Sequence, residues 1–151
     1  MNKFMKMAID EARKGIKEGH GGPFGAVVVK NGEVVAKGHN KVVLNNDPTC
    51  HGEIDAIRKA CKKLGTFDLD GCEIYTTGYP CPMCFGAIMW SSIDRIYYGC
   101  DLKENEEIGF SDKIFDKTTK KEKMQICERV DHKECRELFE EYLKIDNKTM
   151  Y

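Results

Sequence analysis

The sequence predicts an α/β fold, specifically a three-layer α/β/α sandwich with a mixed central sheet. Three observations lead there. Helix-periodic and β-rich segments alternate along the 151 residues. Two β-rich runs flank Asn31-Gly32, the strongest short hairpin signal, so one strand pair is antiparallel. Residues 72–100 read strand, helix, strand, a unit that makes a parallel pair through a right-handed crossover. A sheet containing both kinds of pair, with helices on its faces, is the layered arrangement expected.

Phe4, Met7, Ala8, Ala12 and Ile16 recur at helical spacing over residues 3–18, so the chain opens with an amphipathic helix. "GHGGPFG" breaks it. "AVVVKNGEVVAKGHN" forms the hairpin, and the polar stretch "KVVLNNDPT" reads as a loop. A helix follows over roughly residues 51–64, ended by Gly65. "CEIYTT" (72–77) is a short apolar strand, Pro80 precedes a helix over roughly 81–92, and "DRIYYGC" (94–100) is a further strand. "DHKECRELFEEYLKI" (131–145) is an amphipathic helix. No repeat, low-complexity tract or linker divides the chain, and its length suits one domain spanning 1–151.

Composition removes several function classes. Hydrophobic residues make up 41% and the formal net charge is −1, so the chain is neither disordered nor a strongly basic nucleic-acid binder. Residues 101–151 carry 11 Lys or Arg against 14 Asp or Glu. The charged N-terminal stretch does not read as a signal peptide, and no run reaches the ~18 apolar residues that span a membrane. A cytoplasmic, reducing location is expected, where eight cysteines favour metal binding or catalysis over disulfides. Cys50, Cys61, Cys72, Cys100, Cys127 and Cys135 are expected to pack as small apolar residues.

Cys81 and Cys84 stand apart from these. At i and i+3 in a first helical turn, two thiols share a face, and the free N–H groups there favour thiolate. His51 adds an imidazole, and two cysteines, one histidine and a water make a recognised catalytic zinc set. Cys50, Cys72 or Cys100 could instead close a structural site as a fourth ligand. Glu53, two residues from His51, points roughly 200° away on a helix, poorly placed to share an ion but suited to proton transfer beside it. A solvated first-turn glutamate is the plainer reading of that residue alone.

The combined pattern, H-x-E followed by P-C-x-x-C, is the signature of zinc nucleobase deaminases. The chain resembles the cytidine-deaminase-like superfamily and, within it, the bacterial guanine deaminases. "GGPFGAVVVKNG", "GHN", "NDPT", "HGEIDAIRKAC", "PCPMCFGAI" and "GFSD" carry the likeness over residues 20–112. The resemblance implies Zn²⁺ on His51, Cys81 and Cys84, Glu53 as proton shuttle, and hydrolysis of guanine to xanthine and ammonia. It further implies that Asn40 hydrogen-bonds the base, that Phe24 lines the pocket or stacks on the ring, and that Asp112 handles a second proton or a purine N–H. It also implies a C-terminal segment, 113–151, ending in Tyr151 and folded over the active site, and assembly as a homodimer. "FGAIMW" (85–90), apolar on more than one face, suits such a partner.

Two departures stand out. Tyr79 precedes Pro80-Cys81 where relatives usually carry Glu, and Gly52 replaces the usual alanine between His51 and Glu53. The glycine is expected to loosen the helix start by about 1 kcal/mol. Alternatives within the superfamily are a deaminase of cytosine, isocytosine, a triazine or a nucleoside, or a tRNA adenosine deaminase, which would need a basic surface. Outside it stand a zinc-stabilised interaction module and a dithiol oxidoreductase.

Overall fold

The computed structural model describes residues 1–113, 115, 129–146 and 149. The chain divides into two compact units, Met1–Asp112 and Lys113–Tyr151. In the first, α1 (Lys3–Lys17) precedes the hairpin β1 (Gly25–Lys30) and β2 (Glu33–His39). Then come α2 (Val42–Asn45), α3 (Gly52–Leu64), β3 (Cys72–Gly78), α4 (Pro82–Trp90), β4 (Arg95–Cys100) and α5 (Leu102–Glu107).

The strands form one sheet in the order β2-β1-β3-β4. β1 is antiparallel to β2 and β3, whereas β3 and β4 are parallel, so the sheet is mixed as expected. The hairpin turns at Asn31 (φ 51°) and Gly32 (φ 77°), between paired Lys30 and Glu33. Positive φ at both central residues is what a two-residue hairpin turn with the right twist requires.

β1 is buried on both faces, and its alternating side chains divide the core in two. Ala26 and Val28 pack with Ala56 and Ala60 of α3 and Ile88 of α4. Val27 and Val29 pack with Phe4 and Ala8 of α1 and with Tyr75. Helices therefore cover both faces, which makes the three layers. The small residues bring α3 unusually close: a Cβ at Gly38 would lie 2.5 Å from the Ala56 nitrogen.

The structure departs from the sequence reading in detail. The stretch read as a polar loop contains α2. On α1, Ile16 is half-exposed and Gly15 takes the inward position, because the His39 ring lies against it. Cys50 and Cys72 are buried as expected, but Cys100 and Cys135 are exposed, and Cys127 lies outside the described residues.

In the second unit, α6 (His132–Leu143) falls within the helix expected over 131–145. Its exposed surface carries an i,i+4 pair, Arg136 Nε to Glu140 Oε1 at 3.1 Å. Tyr151 lies outside the described residues. Among the described residues, no helix is long and apolar enough to cross a membrane.

Candidate active site

The start of β1, the end of β2 and the end of β3 share one edge of the sheet, since Gly25 pairs with His39 and Ala26 with Thr76. Helices α3 and α4 begin beside that edge. His51 is the N-cap of α3, in extended conformation (φ −71°, ψ 161°) rather than in the helix. The turn before it is fixed by Asp47, whose Oδ1 accepts from the Thr49 N–H at 2.8 Å and hydroxyl at 2.7 Å. These bonds hold the Asp47 carboxyl down, to about 2.

Cys81 is likewise an N-cap, so Pro82, not Pro80, occupies the first helical turn. The Cys84 N–H approaches Cys81 Sγ at 3.5 Å. Both ligand-bearing turns are therefore caps rather than interior helix. Because His51 is an extended cap, the 200° expected between two helical residues does not describe its relation to Glu53.

His51 Nδ1 lies 3.6 Å from Cys81 Sγ, and the donor atoms of His51, Cys81 and Cys84 are all within 4.8 Å of one another. That group does not include Cys50, Cys72 or Cys100. Cys50 Sγ instead donates to Asp47 Oδ2 at 3.2 Å and accepts from Asn45 Nδ2 at 3.3 Å. One imidazole and two sulfurs converging, with no fourth ligand among the described residues, fit zinc with an open position.

The electrostatics agree. The hydrogen bond from the Cys84 thiol draws the Cys81 thiol down to about 4 against burial, and His51 assists. The same bond, followed by burial, pushes Cys84 up. His51 is raised chiefly by its bond to Cys81. Glu53 is only 7% exposed, and desolvation pushes its carboxyl up, with the Cys81 thiolate adding to the effect.

Gly52 has a packing role that the sequence reading missed. A Cβ there would lie 2.8 Å from the Phe24 carbonyl oxygen and 3.4 Å from Gly25 Cα. Rather than loosening the helix, the glycine lets α3 seat its first turn directly on the start of β1.

A cavity of about 600 Å³ opens over this centre. His51, Glu53 and Cys81 contribute to its floor, with Cys84 fully buried beneath. Phe24, Asn40, Tyr79 and Asp112 also line it, so the structure brings together every described residue that the sequence singled out. Asn40 is 4% exposed, and its Oδ1 accepts from the Val42 N–H at 3.1 Å. Phe24 meets Phe110 edge-on, with ring centres 4.9 Å apart. Val42, Val43, Pro48, Asn105 and Phe110 line the cavity too and were not anticipated. The apolar "VVL" was the only local signal for the first two.

A model of the cytidine and deoxycytidylate deaminase zinc-binding region matches residues 1–100. Guanine deaminase of Bacillus subtilis (strain 168) is 50% identical over 109 residues, 72% of this chain and 70% of that protein. The X-ray structure of a Bacillus subtilis guanine deaminase superposes with a TM-score of 0.92 at 41% identity, covering 100% of this chain and 99% of that one. A tRNA-specific adenosine deaminase of Aquifex aeolicus (strain VF5) is 36% identical over 141 residues, 93% of this chain and 92% of the relative.

Proposed function

The chain belongs to the zinc-binding cytidine and deoxycytidylate deaminase family, and from that premise we propose that it hydrolyses a free nucleobase, converting guanine and water to xanthine and ammonia. The observation that carries this reading is Glu53, a buried acid in the same cavity as a Cys₂His set with no further ligand among the described residues. The likeness over the whole chain to a guanine deaminase structure supports the choice of base.

His51, Cys81 and Cys84 would hold Zn²⁺, which would supply the acidification of a water, making hydroxide available near neutral pH. Glu53 accepts the proton that the attacking water loses. It delivers that proton to the ring nitrogen beside the amine-bearing carbon, C2 in guanine, then takes the remaining proton of the added hydroxyl and passes it to the amine, which departs as ammonia. A carboxyl raised by burial suits this exchange, because it takes up a proton more readily than an ordinary exposed carboxylate.

Asn40, with Oδ1 engaged by Val42, has its amide N–H₂ left to donate to an acceptor on the purine edge. Phe24 and Phe110 give the ring apolar walls. Asp112, in the same lining, is the acceptor for a purine N–H or for a second proton. Tyr79 substitutes a phenol for the usual carboxylate at the cavity wall and so bears on which base fits. The near-neutral charge supports a small substrate rather than a polyanion. We assign a cytoplasmic homodimer, with exposed Phe85, Met89 and Trp90 of α4 at the contact.

The likeness to a tRNA-specific adenosine deaminase along 93% of the chain makes deamination of adenosine in tRNA the second reading. An ammonia-release screen over guanine, guanosine, adenine, cytosine, isocytosine, ammeline and tRNA separates the two. Guanine is the expected substrate, and tRNA turned over faster than every free base reverses the assignment. Glu53→Gln is expected to keep its zinc while turnover falls about 10²–10⁴-fold, the range general acid–base catalysis supplies. An undiminished rate removes the shuttle.

A further inference from the structure

Away from the cavity floor, a second set of ligating atoms converges where the chain leaving α1 meets the end of β2. His20 Nδ1 and His39 Nε2 face each other at 2.9 Å, and Glu18 Oε2 lies 3.3 Å from His20 Nδ1. Donor atoms of all three residues are within 4.8 Å of one another. The ring planes are only 17° apart and the centres 5.2 Å apart, so the imidazoles present nitrogen edges to each other.

The buried member of this cluster is held from behind. His39 Nδ1 meets Glu11 Oε2 at 3.1 Å. An imidazole that donates one N–H to a carboxylate offers a lone pair at its other nitrogen, which is how proteins orient histidine ligands. Space for the ring is also provided: a Cβ at Gly15 would lie 2.6 Å from His39 Cδ2. Glycine inside a helix costs about 1 kcal/mol relative to alanine, and here its missing side chain admits the imidazole. The side chains grade outward from His39 at 4% exposure through His20 at 19% to Glu18 at 42%, so water can reach the open side.

We propose that Glu18, His20 and His39 form a second site for a divalent transition-metal ion. Two imidazole nitrogens and a carboxylate suit ions such as Zn²⁺, Co²⁺ or Ni²⁺. Without the ion, one proton on His20 Nδ1 satisfies the facing nitrogen and Glu18. Binding puts the cation in that place, the neutral His20 ring then carrying its proton on Nε2. The site has no sulfur ligand and lies outside the cavity lining. Its role is to position the wall. The His20 carbonyl accepts from the N–H groups of Val43 at 3.0 Å and Leu44 at 3.1 Å. Gly21, Gly22, Asn40 and Val43, which line the cavity, flank these anchors. An ion joining His20 to His39 ties the two segments that carry that wall.

The test uses tag-free, full-length holoprotein equilibrated with excess Zn²⁺, gel-filtered and analysed for metal. Wild type is expected to retain a second ion per chain, which His20→Ala and Glu18→Gln lose while keeping the first. Glu11→Gln, which touches no ion, is expected to weaken the second affinity by about 10–100-fold, the usual cost of removing a histidine's orienting carboxylate. With Co²⁺, the second equivalent adds visible absorption without sulfur-to-cobalt charge transfer. Retention of a single ion by wild type, or an unchanged second ion in His20→Ala, overturns the proposal. Neither outcome bears on the deaminase reading, which is tested on the Glu53 variant.

Discussion

Two clusters in the same unit each offer three ligating side chains, yet their surroundings differ. His51, Cys81 and Cys84 lie at two helix N-termini, at the floor of a cavity, beside a buried acid. Glu18, His20 and His39 lie at a strand end, backed by Glu11 and open to water on one side. A ligand set alone is therefore not a catalytic site. What distinguishes the first cluster is the space above it and the unbound carboxylate within it.

The largest effect is expected from removing a sulfur at the first cluster. Cys84→Ser takes away one of two soft ligands, and turnover of guanine should fall to background with loss of the tightly held ion. Elemental analysis and an ammonia assay measure both. If turnover survives, the contrast between the clusters collapses.

A smaller effect sharpens the contrast inside the first cluster. Cys81 is depressed to about 4 while Cys84 is raised, so near pH 6 the metal-free protein carries its thiolate on Cys81. An ordinary cysteine, with pKa near 8.5, is less than about 1% thiolate at pH 6. Alkylation of chelator-treated protein at pH 6, mapped by mass spectrometry, should therefore label Cys81 about two- to fivefold faster than an ordinary exposed cysteine, the gain in thiolate being largely offset by its lower nucleophilicity. Zinc should suppress it. Labelling of Cys84 in preference to Cys81 reverses the assignment of the proton.

The smallest expected effect concerns the seat of the first cluster. By helix propensity alone, Gly52→Ala should stabilise the chain by about 1 kcal/mol. The close approach of Phe24 and Gly25 argues the opposite, a loss of about 1–3 kcal/mol typical of overpacking. Thermal unfolding decides: a raised Tm would mean that α3 can shift away from β1 without cost.

Much of this molecule was legible in sequence because its signals are local. Asn31-Gly32 dictates its own turn, and the spacing of Cys81, Cys84, His51 and Glu53 encodes a chemistry. The cap positions of His51 and Cys81 were misread by one residue, since propensity locates a helix better than its first turn. Less visible were features made by packing between remote segments. The Phe24–Phe110 wall joins residues far apart in the chain. Gly52 looked like a defect until the Phe24 carbonyl stood beside it. His20 and His39, 19 residues apart, meet only because Gly15 leaves room.

The 30-residue separation of His51 from Cys81 has a consequence for assembly. A bridge across that span behaves as a cross-link, restricting the unfolded chain by about 3–4 kcal/mol of loop-closure entropy. On the ribosome, the hairpin and α3 emerge before either sulfur exists, so this fastening comes late in synthesis. Chelation should thus lower the melting point as well as silence the enzyme, and nascent chains starved of metal should be the more readily degraded.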